Sequence, residues 1–459
     1  MGTFKRSPRT PLPGATMAVI ALIAAACGGS TTGSPAVSAA GSASASVSAP
    51  SGSPSGSADT GYSGPPASLE YSIWGDPAEI KNQQAVVEAF TAANPTIKVN
   101  VTVSDWEPYW DKLQTGLAGG AAPDVFAMDG PLGPDYQTRD VLLDLTPYIQ
   151  GESYDLGQLD ANAVKDFTTA DGAQFGLPRD LNVIALYYNK TMFDAASIAY
   201  PDGTWDWAKL VEVAKQLTKD TNGDGTPDQW GVYTETTDME NAWSSFVWQA
   251  GGDILSADGT KSALDTDQAA QGIQFLQDLI WKDKVSPDPA IFAETGDAFE
   301  QGKAAMEING SWLVATHEAA GLQFGIAPLP KGPASQATSV NPTGAVVYKG
   351  TKSPDAAWAL VKYLASPVAQ EKIMALKASV PVNKQILSTT YASAFDGAQV
   401  FADALGYAHL KPSFKGYNDF NTTLQTELDE NVFNAPNKTA KEALAAVNPQ
   451  LNQILADNQ

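Results

Sequence analysis

Residues 69–106 read LEYSIWGDPAEIKNQQAVVEAFTAANPTIKVNVTVSDW, and the period of their hydrophobic pattern changes twice. Leu69, Tyr71 and Ile73 alternate with polar neighbours, which is the two-residue repeat of a half-buried strand. From Pro77 to Ala93 the apolar residues Ile80, Val87 and Phe90 fall near helical spacing, and Asn94-Pro95 ends that run. Alternation returns through Ile97, Val99, Val101 and Val103. Strand, helix and strand form a βαβ unit, with a right-handed crossover and parallel strands expected.

The same two periods continue along the chain. PDVFAMD (123–129) and VIALYYN (183–189) read as buried strands, while 205–219 and 269–284 read as amphipathic helices. SPDAAWALVKYLAS (353–366) reads as a helix with Ser353 as its cap, Pro354 in its first turn and Asp355 at the positive end of its dipole. The class is therefore α/β, and a folded region of roughly 390 residues favours two lobes over one. Ligands of open α/β sheets sit beyond the carboxyl ends of strands, so residues just after those strands are the candidates for a site.

Charge and composition narrow the chemistry. The 459 residues carry 28 basic and 51 acidic side chains, a net charge of −23, which argues against a nucleic-acid surface and for solubility. After Arg6 and Arg9 only Arg139 and Arg179 remain, so guanidinium clamps for phosphate or carboxylate are scarce and a neutral ligand is favoured. Two isolated histidines, His317 and His409, leave little material for a metal cluster or a His-based catalytic triad. Gly296 and Gly302 enclose five residues rather than four, and Ala304 follows Lys303 where a hydroxyl is needed, so this stretch does not make a phosphate loop.

The N-terminus reads as an export leader. Lys5, Arg6 and Arg9 precede an apolar stretch, and Ala24 to Ala26 are small residues just before Cys27, the only cysteine. Residues 1–26 are expected to be a signal peptide resembling a bacterial lipobox, with Ala24 where Leu is usual, and Cys27 is expected to carry lipid. Residues 27–68 are almost wholly Gly, Ser, Ala, Pro and Thr and read as a disordered spacer.

Several stretches together resemble the family 1 extracellular solute-binding proteins of ABC sugar importers, the group that contains the maltodextrin-binding proteins. They are PDVFAMDG, FGLPRDLNVIALYYNKTMFD, TWDWAKLVEVAKQLT, WQAGGDIL, QGKAAMEINGSW and GTKSPDAAWALVKYLASPVAQEKI, in family order across nearly the whole chain from Leu69 onward. The resemblance implies a two-lobed periplasmic-binding-protein-like fold of type II, with 69–181 and 345–380 in one lobe and 182–344 and 381–459 in the other. Chain crossings are implied near 180–183, 341–346 and 379–383. It further implies an exported, lipid-anchored, monomeric receptor, not an enzyme, that closes on a neutral mono- or oligosaccharide and hands it to a membrane permease.

A sugar presents a C–H face and a rim of hydroxyls, so its pocket needs flat aromatic platforms and polar groups at their edges. By the resemblance, Trp312 after the Asn309-Gly310 turn takes the place of a stacking aromatic, and Asp129 that of a sugar-binding carboxylate. Trp74, Trp106, Trp243 and Trp248 are further platform candidates, with Tyr417 as a last aromatic wall. Asp105, Asp180, Asn182 and Asn241 are the polar candidates, each of which would also serve as a turn former or cap. Trp281 and Trp358 read as core, and Trp205 and Trp207 as a staple at a helix start.

Two readings stand for DTNGDGTPD (220–228). Asp220, Asn222 and Asp224 followed by Gly225, with Thr226 and Asp228 as later oxygens, begin an EF-hand-like calcium loop; yet Gly231 stands where its bidentate Glu belongs, and the same letters make a turn. For the whole protein the competing function is a secreted glycoside hydrolase using paired carboxylates in an aromatic cleft.

Overall fold

Strand β1 (Ala67–Trp74), helix α1 (Pro77–Ala93) and strand β2 (Ile97–Ser104) form the expected unit, with β1 and β2 parallel and Leu69 opposite Val99. Leu69, Tyr71 and Ile73 are fully buried, and α1 covers them with Val86, Val87 and Phe90. The structure, a computed structural model, describes residues 61–459 apart from 76, 237, 238, 240–242, 293–295 and 378. The leader, Cys27, most of the spacer and Asn241 lie outside the described residues. All those described belong to one compact unit, Ser57–Gln459.

Eight more strands follow: β3 (Val125–Asp129), β4 (Gly176–Asn189), β5 (Tyr233–Thr234), β6 (Met306–Gly310), β7 (Phe324–Ala327), β8 (Thr338–Val347), β9 (Val380–Pro381) and β10 (Ala408–Leu410). The strand order is β2-β1-β3-β8-β4-β6-β5. Strand β4 changes partners along its length. Its first half pairs antiparallel with β8, and from Ile184 onward it pairs with β6 and β7. Asp180 faces both Thr343 of β8 and Pro381 of β9, so the three segments expected as crossings lie side by side.

The core consists of two apolar clusters, each of which takes residues from β3, β4 and β8. One cluster joins β1, β3 and α1 to the 354–364 helix through Val86, Phe90, Leu360 and Val361. The other joins the 244–249, 267–277, 417–428 and 440–457 helices through Phe246, Ile273, Leu424 and Leu451.

Some local expectations are corrected. The helix read from residue 205 starts at Trp207, capped by the Asp206 carboxylate accepting the Lys209 N–H at 2.8 Å. Trp207 is no staple: it stacks on Phe275 at 4.2 Å and its indole N–H donates to Gln249 Oε1 at 2.6 Å. The helix read over 269–284 spans Asp267–Gln277 and passes into a π turn, Asp278–Lys282. Ser353 stands at the N-cap position, but its hydroxyl makes no cap bond.

A group of buried acids supports β6 and the turn after it. Glu307 is fully buried, accepts from Asn309 Nδ2 at 2.8 Å, and has Oε2 2.9 Å from Nε2 of His317 on the 314–319 helix. Burial pushes the Glu307 carboxyl up, and burial with the facing Glu307 charge does the same to Asp297. Elsewhere, burial and the Asp129 charge push Asp166 up to about 7. Below about pH 4 such carboxyls are protonated in both folded and unfolded chains. Above it the unfolded chain releases protons that the folded chain keeps, so stability falls until the folded groups ionise near neutrality and then levels. Urea unfolding at pH 5 and pH 7.5 should show the lower stability at pH 7.5, and Glu307→Gln should flatten that dependence. A wild-type protein equally stable at both values would contradict this.

Candidate functional site

Helix α2 (Trp106–Ala118) follows β2 directly, and its sequence WEPYWDKLQTGLA puts different chemistry on two faces. Tyr109 and Leu113 point into the core, with the Tyr109 hydroxyl donating to the Ala127 carbonyl at 2.5 Å. Trp106, Trp110 and Gln114, spaced four apart, form a neighbouring stripe along one side of a cavity of about 300 Å³.

The second wall comes from the chain after β3. Gly130 is required there, because a Cβ would lie 2.9 Å from the Pro342 carbonyl oxygen. This close passage sets Asp129 at the floor and leads into α3 (Gly133–Thr138), which contributes Asp135 and Tyr136, with Arg139 at the exposed rim. Opposite stand Lys411, just after β10, and Tyr417, Asn418, Asn421 and Thr422 of the 417–428 helix.

The aromatic residues support one another. Trp106 meets Trp74 edge-on at 4.9 Å and Trp110 at 5.3 Å, and Trp110 lies 5.8 Å from Tyr136. Arg139 lies over the Tyr136 ring at 5.1 Å, and burial pushes the Tyr136 hydroxyl up to about 12, so it stays a neutral donor and acceptor. At the floor, Asp129 is 2% exposed; its carboxylate accepts from Asn341 Nδ2 and lies 3.5 Å from Lys411 Nζ. Nearby, Asp166 Oδ2 and Asn341 Oδ1 are buried without a hydrogen-bond partner in the protein.

Of the candidates read from sequence, Trp106, Asp129 and Tyr417 line this cavity together. Trp74 supports it from behind, and exposed Asp105 precedes α2 without a side-chain cap bond. Asp180 is buried against Arg179, and half-buried Asn182 is opposite Asn341 in the β4–β8 ladder. Trp243 is fully buried, with its N–H donated to Gln425 Oε1 at 3.3 Å. Trp248 stacks on His409 at 4.9 Å and donates to Asp253 Oδ1 at 3.1 Å. Trp312 is half-buried and folds over its own turn: a Cβ on Gly310 would fall 1.8 Å from the indole. None of Asp180, Asn182, Trp243, Trp248 or Trp312 is in the cavity lining.

Sequence reasoning misses Trp110, Tyr136, Lys411, Asn418 and Asn421. The position of Trp110, four after Trp106 on a helix, is the one available signal; Lys411 has none in its local sequence.

The 220–228 loop is folded on itself. Asp220 accepts the N–H groups of Gly223 and Gly225 at 2.6 and 2.8 Å, Asn222 that of Asp224, Asp224 that of Thr226, and Asp228 that of Thr221. No group of three or more acidic, His or Cys side chains suited to a metal occurs among the described residues. In this arrangement these oxygens accept the N–H groups of the turn.

A cavity lined by aromatic and polar side chains is suited to a small ligand, and comparison with known proteins identifies the family. Residues 77–371 match the bacterial extracellular solute-binding protein family, and the chain belongs to it. A binding protein of Brucella abortus (strain 2308) is 26% identical over 345 residues, covering 73% of this chain and 81% of its own. The maltotriose-binding protein of Pyrococcus abyssi (strain GE5 / Orsay) is 26% identical over 351 residues, with 74% and 72% covered. Among solved structures, the ABC substrate-binding protein Lmo0181 from Listeria monocytogenes in complex with cycloalternan superposes with a TM-score of 0.78 at 26% identity, covering 85% of this chain and 99% of that one. The fold is the two-lobed one of these proteins. The family and these relatives are named for solute binding.

Proposed function

We propose that this protein is an extracellular receptor for a neutral mono- or oligosaccharide. Lipid on Cys27 holds it at the outer face of the cytoplasmic membrane, and it delivers the sugar to an ABC importer. One lobe is 69–181 with 345–380, the other 182–344 with 381–459. The cavity carries the reading: Trp106, Trp110, Tyr136 and Tyr417 bring aromatic rings to its lining, and Asp129, Asn418 and Asn421 bring polar groups suited to hydroxyls. The relative named for maltotriose and the solved structure holding cycloalternan support an oligosaccharide as the ligand class. Sugar touching both walls binds the closed form more tightly and so populates it.

A thermal-shift panel of neutral mono- and oligosaccharides tests the ligand. A sugar at a hundred times its dissociation constant should add about 2.7 kcal/mol to stability. At least one neutral sugar should raise the melting temperature and simple anions should not. A panel without any stabilising sugar, or a shift produced by anions alone, would overturn the reading.

A further inference from the structure

Asp135 reaches across the cavity to the start of a helix on the other side. Its carboxylate accepts the Gly416 N–H at 2.6 Å through Oδ1 and the Asn418 N–H at 3.3 Å through Oδ2. These are among the first N–H groups of the 417–428 helix, which have no partner within the helix and favour a negative charge. Asp135 itself sits on α3, carried by β3 and thus by the β1–β3–β8 side. The helix it holds packs on the 440–457 helix through Phe420, Leu424 and Leu451, in the same apolar cluster as Tyr136 of α3.

Two further contacts span the same gap. Lys411 Nζ faces Asp129 Oδ2 at 3.5 Å, and the Ser413 hydroxyl donates to the Gly130 carbonyl at 3.4 Å. All three join residues 129–135 to residues 411–418, on opposite walls of the cavity. Asp135 differs from the other two in being both charged and half-exposed, so solvent can take its place when the walls separate.

We propose that Asp135 is a positioning residue for ligand binding: it latches the 417–428 helix to α3 and keeps the walls together before any ligand arrives. The inference rests on the sugar-receptor reading, because it assumes that binding requires the walls to meet. A latch of this kind raises the fraction of binding-competent molecules, and apparent affinity scales with that fraction. It also resists reopening, so its loss should appear mainly as faster dissociation.

The experiment uses the full chain with Cys27→Ser, and spin labels on Gln150→Cys and Gln453→Cys, two exposed positions on helices of the two sides. Double electron–electron resonance without ligand should show a longer mean distance, or a new long-distance population, in Asp135→Ala than in the parent. Saturating maltotriose, or whichever sugar stabilises the parent, should return both to the short distance. Affinity should fall about tenfold, mostly through the dissociation rate. Asp135→Asn, which keeps an acceptor oxygen, should lie between the two and guards against a misfolded alanine variant. Identical ligand-free distances in all three proteins would overturn the latch, as would weaker binding without any change in distance. If no sugar binds the parent, the receptor reading fails, and the ligand-free distances still decide whether Asp135 joins the walls.

Discussion

Arg179→Met should cost about 3–5 kcal/mol of stability, a large part of what a folded domain of this kind has. Arg179 is 2% exposed, and its guanidinium is bound on every side: Nε to Asp180 Oδ2 at 2.8 Å, Nη1 to the Tyr71 hydroxyl and Gln83 Oε1 at 3.2 Å each, and Nη2 to Thr343 Oγ1 at 3.5 Å. Its own carbonyl accepts from Gln370, and the Thr343 hydroxyl donates to Asp180. The side chain therefore ties β1, α1, β4 and β8 together, and the backbone carbonyl adds the 367–375 helix, where β4, β8 and β9 lie side by side. Methionine fills the volume but leaves the Asp180 charge buried without its main partner, and that orphaned charge is the larger part of the cost. Adding Asp180→Asn should recover a measurable share of the loss in urea unfolding. If Arg179→Met alone falls by less than about 1 kcal/mol, the network holds little and the strand ladders secure this region instead.

The scarcity of arginine reads in the sequence as a sign against charged ligands, and one of the two in the folded region turns out to be internal scaffolding. Nothing in LPRDLN distinguishes the two roles, because burial depends on partners 96 to 164 residues away in the chain. The elements that are legible are those in which one local period controls one face. The alternation of β1 and β2, the apolar run of β3 and the limits of α1 between Pro77 and Asn94 are of that kind. Strand β8 is not legible, although it is central and wholly buried. Its sequence TSVNPTGAVV has Pro342 and Gly344 where turns are usually made, and a proline inside a central strand normally argues against one. Here β4 accommodates it with a register shift between Pro178 and Asp180, opposite the same stretch.

The site divides in the same way. Trp106 and Asp129 stand at the ends of strands, where open sheets place their ligands, so strand ends are enough to find them. Trp243 and Trp248 precede a Gly-Gly turn, and that pattern does not separate an indole facing the cavity from one packed against Gln425 or His409. The Trp312 turn shows a related limit. The missing side chain of Gly310 makes room for the indole to fold back, a contact that the letters NGSW equally allow and do not specify.

Trp106→Ala should weaken sugar binding by roughly 30- to 100-fold, the 2–3 kcal/mol typical of an aromatic hot spot. The indole is half-buried, lines the cavity, and is held edge-on by Trp74 and Trp110, so its ring is fixed before a ligand arrives and little rotamer entropy is lost on stacking. Trp106→Phe keeps a flat face in the same place and should retain most of the affinity. Trp358 provides the contrast. It is 2% exposed inside the 354–364 helix, with its N–H donated to Glu152 Oε1 at 3.0 Å, and Trp358→Ala should cost about 3–5 kcal/mol of stability while the folded fraction binds sugar as before. Calorimetric titration with the stabilising sugar, alongside urea unfolding, separates the two effects. Equal loss of affinity in Trp106→Phe and Trp106→Ala would show that the ring face is not what the sugar meets, and would move the platform from α2 to Tyr136 and Tyr417 across the cavity.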